Sequence, residues 1–138
     1  MCNNENKKTS CLVKTFELIL LLQQRSDDCP LMEGCDKPFL GPTINNVNLN
    51  TRPFNLYSCC NNKLWTMPYT LNGTEGTSSV FRIENIDETC ITCRVLAPNP
   101  DNTSTTTPYL ATDDFFTIKL NCIGALKCLN DVLVPGID

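Results

Sequence analysis

The spacing of apolar and polar positions divides the chain into one helical segment and a series of short strands. Over residues 10–25 four positions fall on one helical stripe: Leu12, Phe16, Ile19 and Gln23. Ser10 can cap the start of this helix. The remaining apolar residues spread round most of the cylinder. This breadth predicts either a helix covered by a sheet on one side and a neighbouring subunit on another, or a fully buried core helix.

After residue 30 the pattern changes to strands and turns rich in Gly, Pro and Asn. Strands are predicted over residues 53–60, 63–70, 79–86, 89–96 and 114–123. Ile91, Cys93 and Val95 alternate with polar neighbours, so one face of their strand is predicted to be buried. Residues 86–89 are the predicted turn of a hairpin, and residues 98–108, which are rich in Thr, Asn and Pro, are predicted to form an exposed loop.

These segments predict a mainly β fold, an antiparallel β-sandwich with an N-terminal α-helix. Residues 1–9 form a polar segment that we expect to be flexible, and residues 10–138 are predicted to be a single domain. A chain of 138 residues buries roughly two-thirds of its unfolded surface on folding, which is sufficient for one core. We detect no internal repeat.

Composition favours contacts with other proteins over contacts with nucleic acid. Charged residues make up 19% of the chain and hydrophobic residues 41%, so the surface is poor in charge. The net charge of −4 and the lack of a basic patch argue against phosphate binding. The longest apolar run has five residues, so neither a signal peptide nor membrane insertion is predicted.

Cysteine is the outstanding residue type, because ten cysteines exceed what a core of this size requires. All ten are candidates for disulfides or cross-links, within the chain or between chains. Strand alternation places two of them toward the core, Cys93 and Cys122. Seven others are predicted to face outward: Cys2, Cys11, Cys29, Cys35, Cys59, Cys60 and Cys90. The tenth, Cys128, has no predicted orientation.

The sequence lacks the residue types that most enzymes need. It has no histidine to serve as a general base or metal ligand, and no Gly-rich phosphate loop. The acidic pairs Asp27-Asp28 and Asp113-Asp114 fit turn and cap residues better than a catalytic pair. The sequons that begin at Asn72 and Asn102 are interpreted as ordinary polar turns. We therefore predict no catalytic residue, no cofactor and no enzyme activity.

The motif Cys90-Ile-Thr-Cys93 resembles the cysteine spacing of zinc knuckles and thiol oxidoreductases. On a strand, however, residues three apart point to opposite faces, and no helix follows to lower a thiol pKa. Neither a metal site nor a redox site is predicted at these cysteines. A monomeric, cysteine-rich zinc-binding module remains the alternative function.

Five segments together resemble one protein family. They are residues 36–41 (Asp-Lys-Pro-Phe-Leu-Gly), 50–57 (Asn-Thr-Arg-Pro-Phe-Asn-Leu-Tyr), 81–84 (Phe-Arg-Ile-Glu), 94–96 (Arg-Val-Leu) and 121–132 (Asn-Cys-Ile-Gly-Ala-Leu-Lys-Cys-Leu-Asn-Asp-Val). In this order they resemble the CotY/CotZ/ExsY spore coat and exosporium proteins.

The resemblance implies a structural protein of the endospore surface, in the coat crust or exosporium. Such a protein would assemble with copies of itself into a two-dimensional lattice that disulfides then harden, and it would anchor other coat or exosporium proteins. The lack of a signal peptide would fit synthesis in the mother-cell cytoplasm, followed by oxidation in place.

Overall fold

The computed structural model describes residues 11–25, 49–101 and 107–137, and side chains in the helix as far as residue 23. One helix, α1 (Cys11–Arg25), precedes seven strands. The strands are β1 (Phe54–Ser58), β2 (Met67–Leu71), β3 (Thr74–Ser78), β4 (Phe81–Ile86), β5 (Cys90–Pro98), β6 (Tyr109–Lys119) and β7 (Ile123–Cys128). None of the described helices is long and apolar enough to cross a membrane.

Five of the strands form an antiparallel sheet in the order β6-β5-β4-β1-β7, and β2 and β3 form a separate hairpin. The hairpin turn is Asn72-Gly73, and both residues have positive φ, at 53° and 80°. Asn-Gly is the preferred pair for such a two-residue turn, because its twist matches that of the strands. Residues 87–89 connect β4 to β5.

The main core lies on one face of the five-stranded sheet, where α1 and the β2–β3 hairpin pack. Phe16 and Ile19 of α1 are fully buried against Phe54 and Phe81 of the sheet. The Phe16 and Phe54 rings meet edge to face with their centroids 5.3 Å apart. Each such side chain contributes about 1.5–3 kcal/mol by leaving water, so this stripe of α1 holds the helix on the sheet.

The fold class is confirmed, since the structure is mainly β with two antiparallel sheets and an N-terminal helix. The helical stripe is buried as predicted, with Leu12 partly buried beside it. The interpretation of α1 as a fully buried helix is wrong, because Leu21 is 44% exposed and Cys11 is exposed. Ser10, the predicted cap, lies outside the described residues.

Several predicted strand bounds are wrong. In the segment predicted at 63–70 the strand begins only at Met67, although Leu64 forms an isolated bridge with Tyr57. The strand β3 was not predicted because Thr74–Ser78 has no apolar alternation. The segment predicted at 114–123 combines three elements: most of it belongs to β6, a short 3-10 helix spans Leu120–Cys122, and β7 then begins. In the predicted loop at 98–108, residues 102–106 lie outside the described residues.

Candidate functional site

The described cysteines fall into distinct environments along the sheet. Four are thiols: Cys11 is exposed, Cys90 and Cys122 are half-buried, and Cys93 is buried. Cys2, Cys29 and Cys35, which were predicted to face outward, lie outside the described residues. The four described thiols therefore differ widely in exposure from one position to the next.

Cys90 and Cys93 lie on opposite faces of β5, as the strand prediction required. Cys93 is fully buried in the core beside Ile83 and Phe116, which are its cross-strand neighbours. Burial, and to a smaller extent the negative charge of Glu84, raise the pKa of the Cys93 thiol well above its ordinary value. Because the thiolate is the reactive form, the Cys93 thiol is unreactive in the folded protein.

The adjacent pair Cys59-Cys60 lies in a turn, so the prediction that both belong to a strand is wrong. β1 ends at Ser58, and the chain reverses through Asn62, which has a positive φ of 58°. The Cys59 N–H donates to the Cys122 carbonyl at 3.0 Å, which joins this turn to the end of the 3-10 helix. Cys122 is therefore half-buried in that helix, where the sequence predicted a residue on a strand facing the core.

Gly124 explains why this turn can approach β7 so closely. A Cβ atom at Gly124 would lie 2.7 Å from the Cys59 Cα, well inside van der Waals contact. The absence of a side chain at this position lets the backbone of the turn rest directly on β7. Three cysteines, Cys59, Cys60 and Cys122, are brought together at this corner of the sheet.

The opposite face of the sheet carries a network of charged side chains that sequence patterning did not predict. Arg82 and Arg94 are direct cross-strand neighbours, and Glu84 Oε2 accepts from both guanidinium groups at 2.8 and 3.0 Å. Arg94 also lies over the Phe115 ring, 4.4 Å from its centroid. The shared carboxylate offsets the repulsion between two arginines that would otherwise oppose each other.

A second ion pair joins the two ends of the described β region. Arg52 donates two hydrogen bonds to the Asp131 carboxylate, at 2.7 and 2.9 Å, and only 3% and 8% of the two side chains are exposed. Thr51 and Val132 form a β-bridge next to this pair. Arg52 and Asp131 belong to two of the segments that carry the family resemblance, and the fold brings these segments into contact.

Gln23 connects α1 to the same region. Its side-chain amide donates to the Ile83 carbonyl at 3.1 Å, and its side-chain oxygen accepts from the Arg52 N–H at 3.1 Å. Gln23 is buried at 8% exposure. A polar residue on the apolar stripe of the helix therefore satisfies two backbone groups of the sheet.

The acidic pair Asp113-Asp114 lies inside β6, so its interpretation as turn and cap residues is wrong. Asp113 is fully exposed, with Arg94 4.0 Å away. The Asp114 carboxylate accepts from the Thr70 N–H at 2.9 Å and so joins β6 to the hairpin. Asp27-Asp28 lies outside the described residues. Among the residues that are described, no group of three His, Cys, Asp or Glu side chains could hold a metal ion.

The sheet, its charged network and its many cysteines define a cysteine-rich, mainly β protein. A model of the family described as spore coat protein Z matches residues 1–115. This match covers most of the 138 residues, so the chain belongs to the CotZ spore coat protein family, and the resemblance is confirmed. It is thus a spore coat structural protein of the spore surface. No curated protein and no solved structure gave a significant match.

Proposed function

We propose that this chain is a non-enzymatic subunit that assembles with copies of itself into a two-dimensional array on the spore, hardened by disulfides. The observation that carries the proposal is the contrast between its thiols. Cys11 is exposed on α1 and Cys90 is partly exposed on β5, whereas Cys93 is fully buried in the core. Two or more accessible thiols on one subunit allow cross-links that continue from copy to copy, as the hardening of an array by disulfides requires.

Disulfides within each subunit would act alongside these cross-links. Cys59, Cys60 and Cys128, which are not among the four free thiols, are the described candidates for such bonds. Cys59 and Cys60 are not bonded to each other, because their Sγ atoms lie 4.0 Å apart and a disulfide needs about 2.05 Å. Each bond within a chain would add about 2–4 kcal/mol by restricting the unfolded state.

Bonds between chains would have a different effect, because they convert a reversible contact into a covalent one. Assembly then depends on noncovalent contacts for its geometry and on oxidation for its permanence. Such an array would also offer a repeating surface on which other coat or exosporium proteins could be anchored.

The test is electron microscopy of the purified protein before and after a reducing agent, combined with non-reducing gels. Ordered sheets that loosen on reduction, with a ladder of covalent oligomers, are the expected result. Cys11→Ser combined with Cys90→Ser should shorten the ladder, while the matched control Cys93→Ala should leave it unchanged. A protein that stays monomeric under oxidising conditions would refute the proposal, and stoichiometric zinc in that monomer would favour a zinc-binding module.

A further inference from the structure

The open edge of β6 has features that suit pairing with a second copy of itself. Within the described part of the chain, β6 is the end strand of the five-stranded sheet and pairs only with β5. Beyond Asp114, where the hairpin contacts β6, residues 115–119 form no backbone hydrogen bond on their outer side within the described part of the chain. An exposed edge of this kind is a template for another strand.

The side chains from Asp113 to Lys119 alternate in burial, although the register between β6 and β5 shifts between Ala111 and Phe115. Asp113, Phe115, Thr117 and Lys119 are exposed, and Phe116 and Ile118 between them turn toward the core. Phe115 is 47% exposed, which makes it one of few large apolar side chains at the described surface. In chain order, the exposed row of β6 therefore carries an acidic, an aromatic, a hydroxyl and a basic side chain.

The exposed row of one copy is complementary to the same row of a second copy that runs in the opposite direction. In an antiparallel pair centred on Phe116, Asp113 of one copy lies opposite Lys119 of the other, and Phe115 lies opposite Thr117. The two-fold symmetry of such an interface repeats both pairs. Lys119 has no ion-pair partner among the described residues, and the only ionic neighbour of Asp113 is Arg94 at 4.0 Å. Both charges are thus available for a partner.

We propose that residues 113–119 of β6 pair antiparallel with the same residues of a second copy, so that the two five-stranded sheets join into one. This inference rests on the proposed self-assembly and names one of its contacts. Opposite charges placed at the two ends of the row set the register, because other registers leave the acids and bases unpaired. If the exposed charges along this strand all had one sign, the strand would repel the same strand of a second copy.

The test uses charge reversal, measured by sedimentation equilibrium in a reducing buffer of low salt. Asp113→Lys alone and Lys119→Asp alone each place like charges opposite one another in the homodimer. We expect each variant to dimerise about tenfold or more weakly than the parent. An equimolar mixture of the two variants restores both opposite-charge pairs in the heterodimer, and so does the double variant Asp113→Lys with Lys119→Asp.

The mixture also controls for folding, because misfolded chains would not regain association on mixing. Glu17→Lys, a charge reversal on the exposed side of α1, is the matched control and should leave dimerisation unchanged. The pairing is overturned if the single variants dimerise like the parent or if the mixture is no stronger than its components. Arrays that persist in such variants would refute the β6 contact alone. Charge-dependent dimers that never form arrays on oxidation would instead refute the proposed array.

Discussion

The buried ion pair of Arg52 and Asp131 gives the sharpest prediction for stability. Asp131→Asn keeps the shape of the side chain but removes its charge, and its amide would point a donor at a guanidinium that also donates. The buried arginine then loses the charge of this partner, which typically costs about 3–5 kcal/mol. Since domains of this size are stable by only about 5–15 kcal/mol, the variant should lose about a fifth or more of its stability.

The assay is equilibrium unfolding in urea under reducing conditions, followed by the fluorescence of Trp65, the sole tryptophan of the chain. The matched control is Glu17→Gln, because that carboxylate is exposed on α1 and has no ion-pair partner among the described residues. An exposed charge of this kind contributes at most about 1 kcal/mol. The unfolding midpoint should therefore fall much further for Asp131→Asn than for the control.

A double variant, Arg52→Met with Asp131→Leu, separates the cost of an unpaired charge from the cost of lost packing. Replacing both partners with apolar side chains of similar size is often neutral or stabilising, so the double variant should be more stable than Asp131→Asn. The reasoning is refuted if Asp131→Asn unfolds like its control. A double variant as unstable as the single one would attribute the loss to shape and not to charge.

Three further predictions concern single residues. Gln23→Leu removes the partners of two buried backbone groups and should lower the free energy of unfolding by about 1–3 kcal/mol; an unchanged urea midpoint would contradict this. The unfolded Cys93 thiol releases its proton at lower pH than the folded one, so stability should fall above about pH 9 by up to about 1.4 kcal/mol per pH unit. Cys93→Ala should flatten this slope, and an unchanged slope would contradict the prediction. Gly124→Ala should cost about 1–3 kcal/mol by pushing β7 from Cys59, and a parent-like melting temperature would exclude that clash.

The sequence predicted those elements in which the spacing of apolar residues indicates that one face is buried. The stripe of Phe16 and Ile19 was visible because residues three or four apart share a helical face. The hairpin of β4 and β5 was visible because Ile91, Cys93 and Val95 alternate with polar residues. In both cases one physical constraint, a single buried face, governs every position of the element.

The missed elements lack that constraint or are defined by distant partners. β3 contains Thr, Glu, Gly and Ser and is held by its hairpin, which only the turn signal Asn72-Gly73 could have revealed. The pairing of Arg52 with Asp131 spans 79 positions, and no local pattern encodes such a contact. The cysteines were similarly ambiguous, because their exposure depends on turns such as that of Cys59 and Cys60.

The packing of α1 and the hairpin on one face of the sheet has a consequence for any layer built from it. A two-fold axis perpendicular to a sheet leaves its upper and lower surfaces in place, so joining copies at β6 would keep every helix on the same side. One side of the layer would then be lined by the helices and hairpins, and the other by Arg82, Glu84, Arg94 and Phe115. A coat assembled in this way would be directional, with one surface chemistry toward the spore interior and a different one toward the environment.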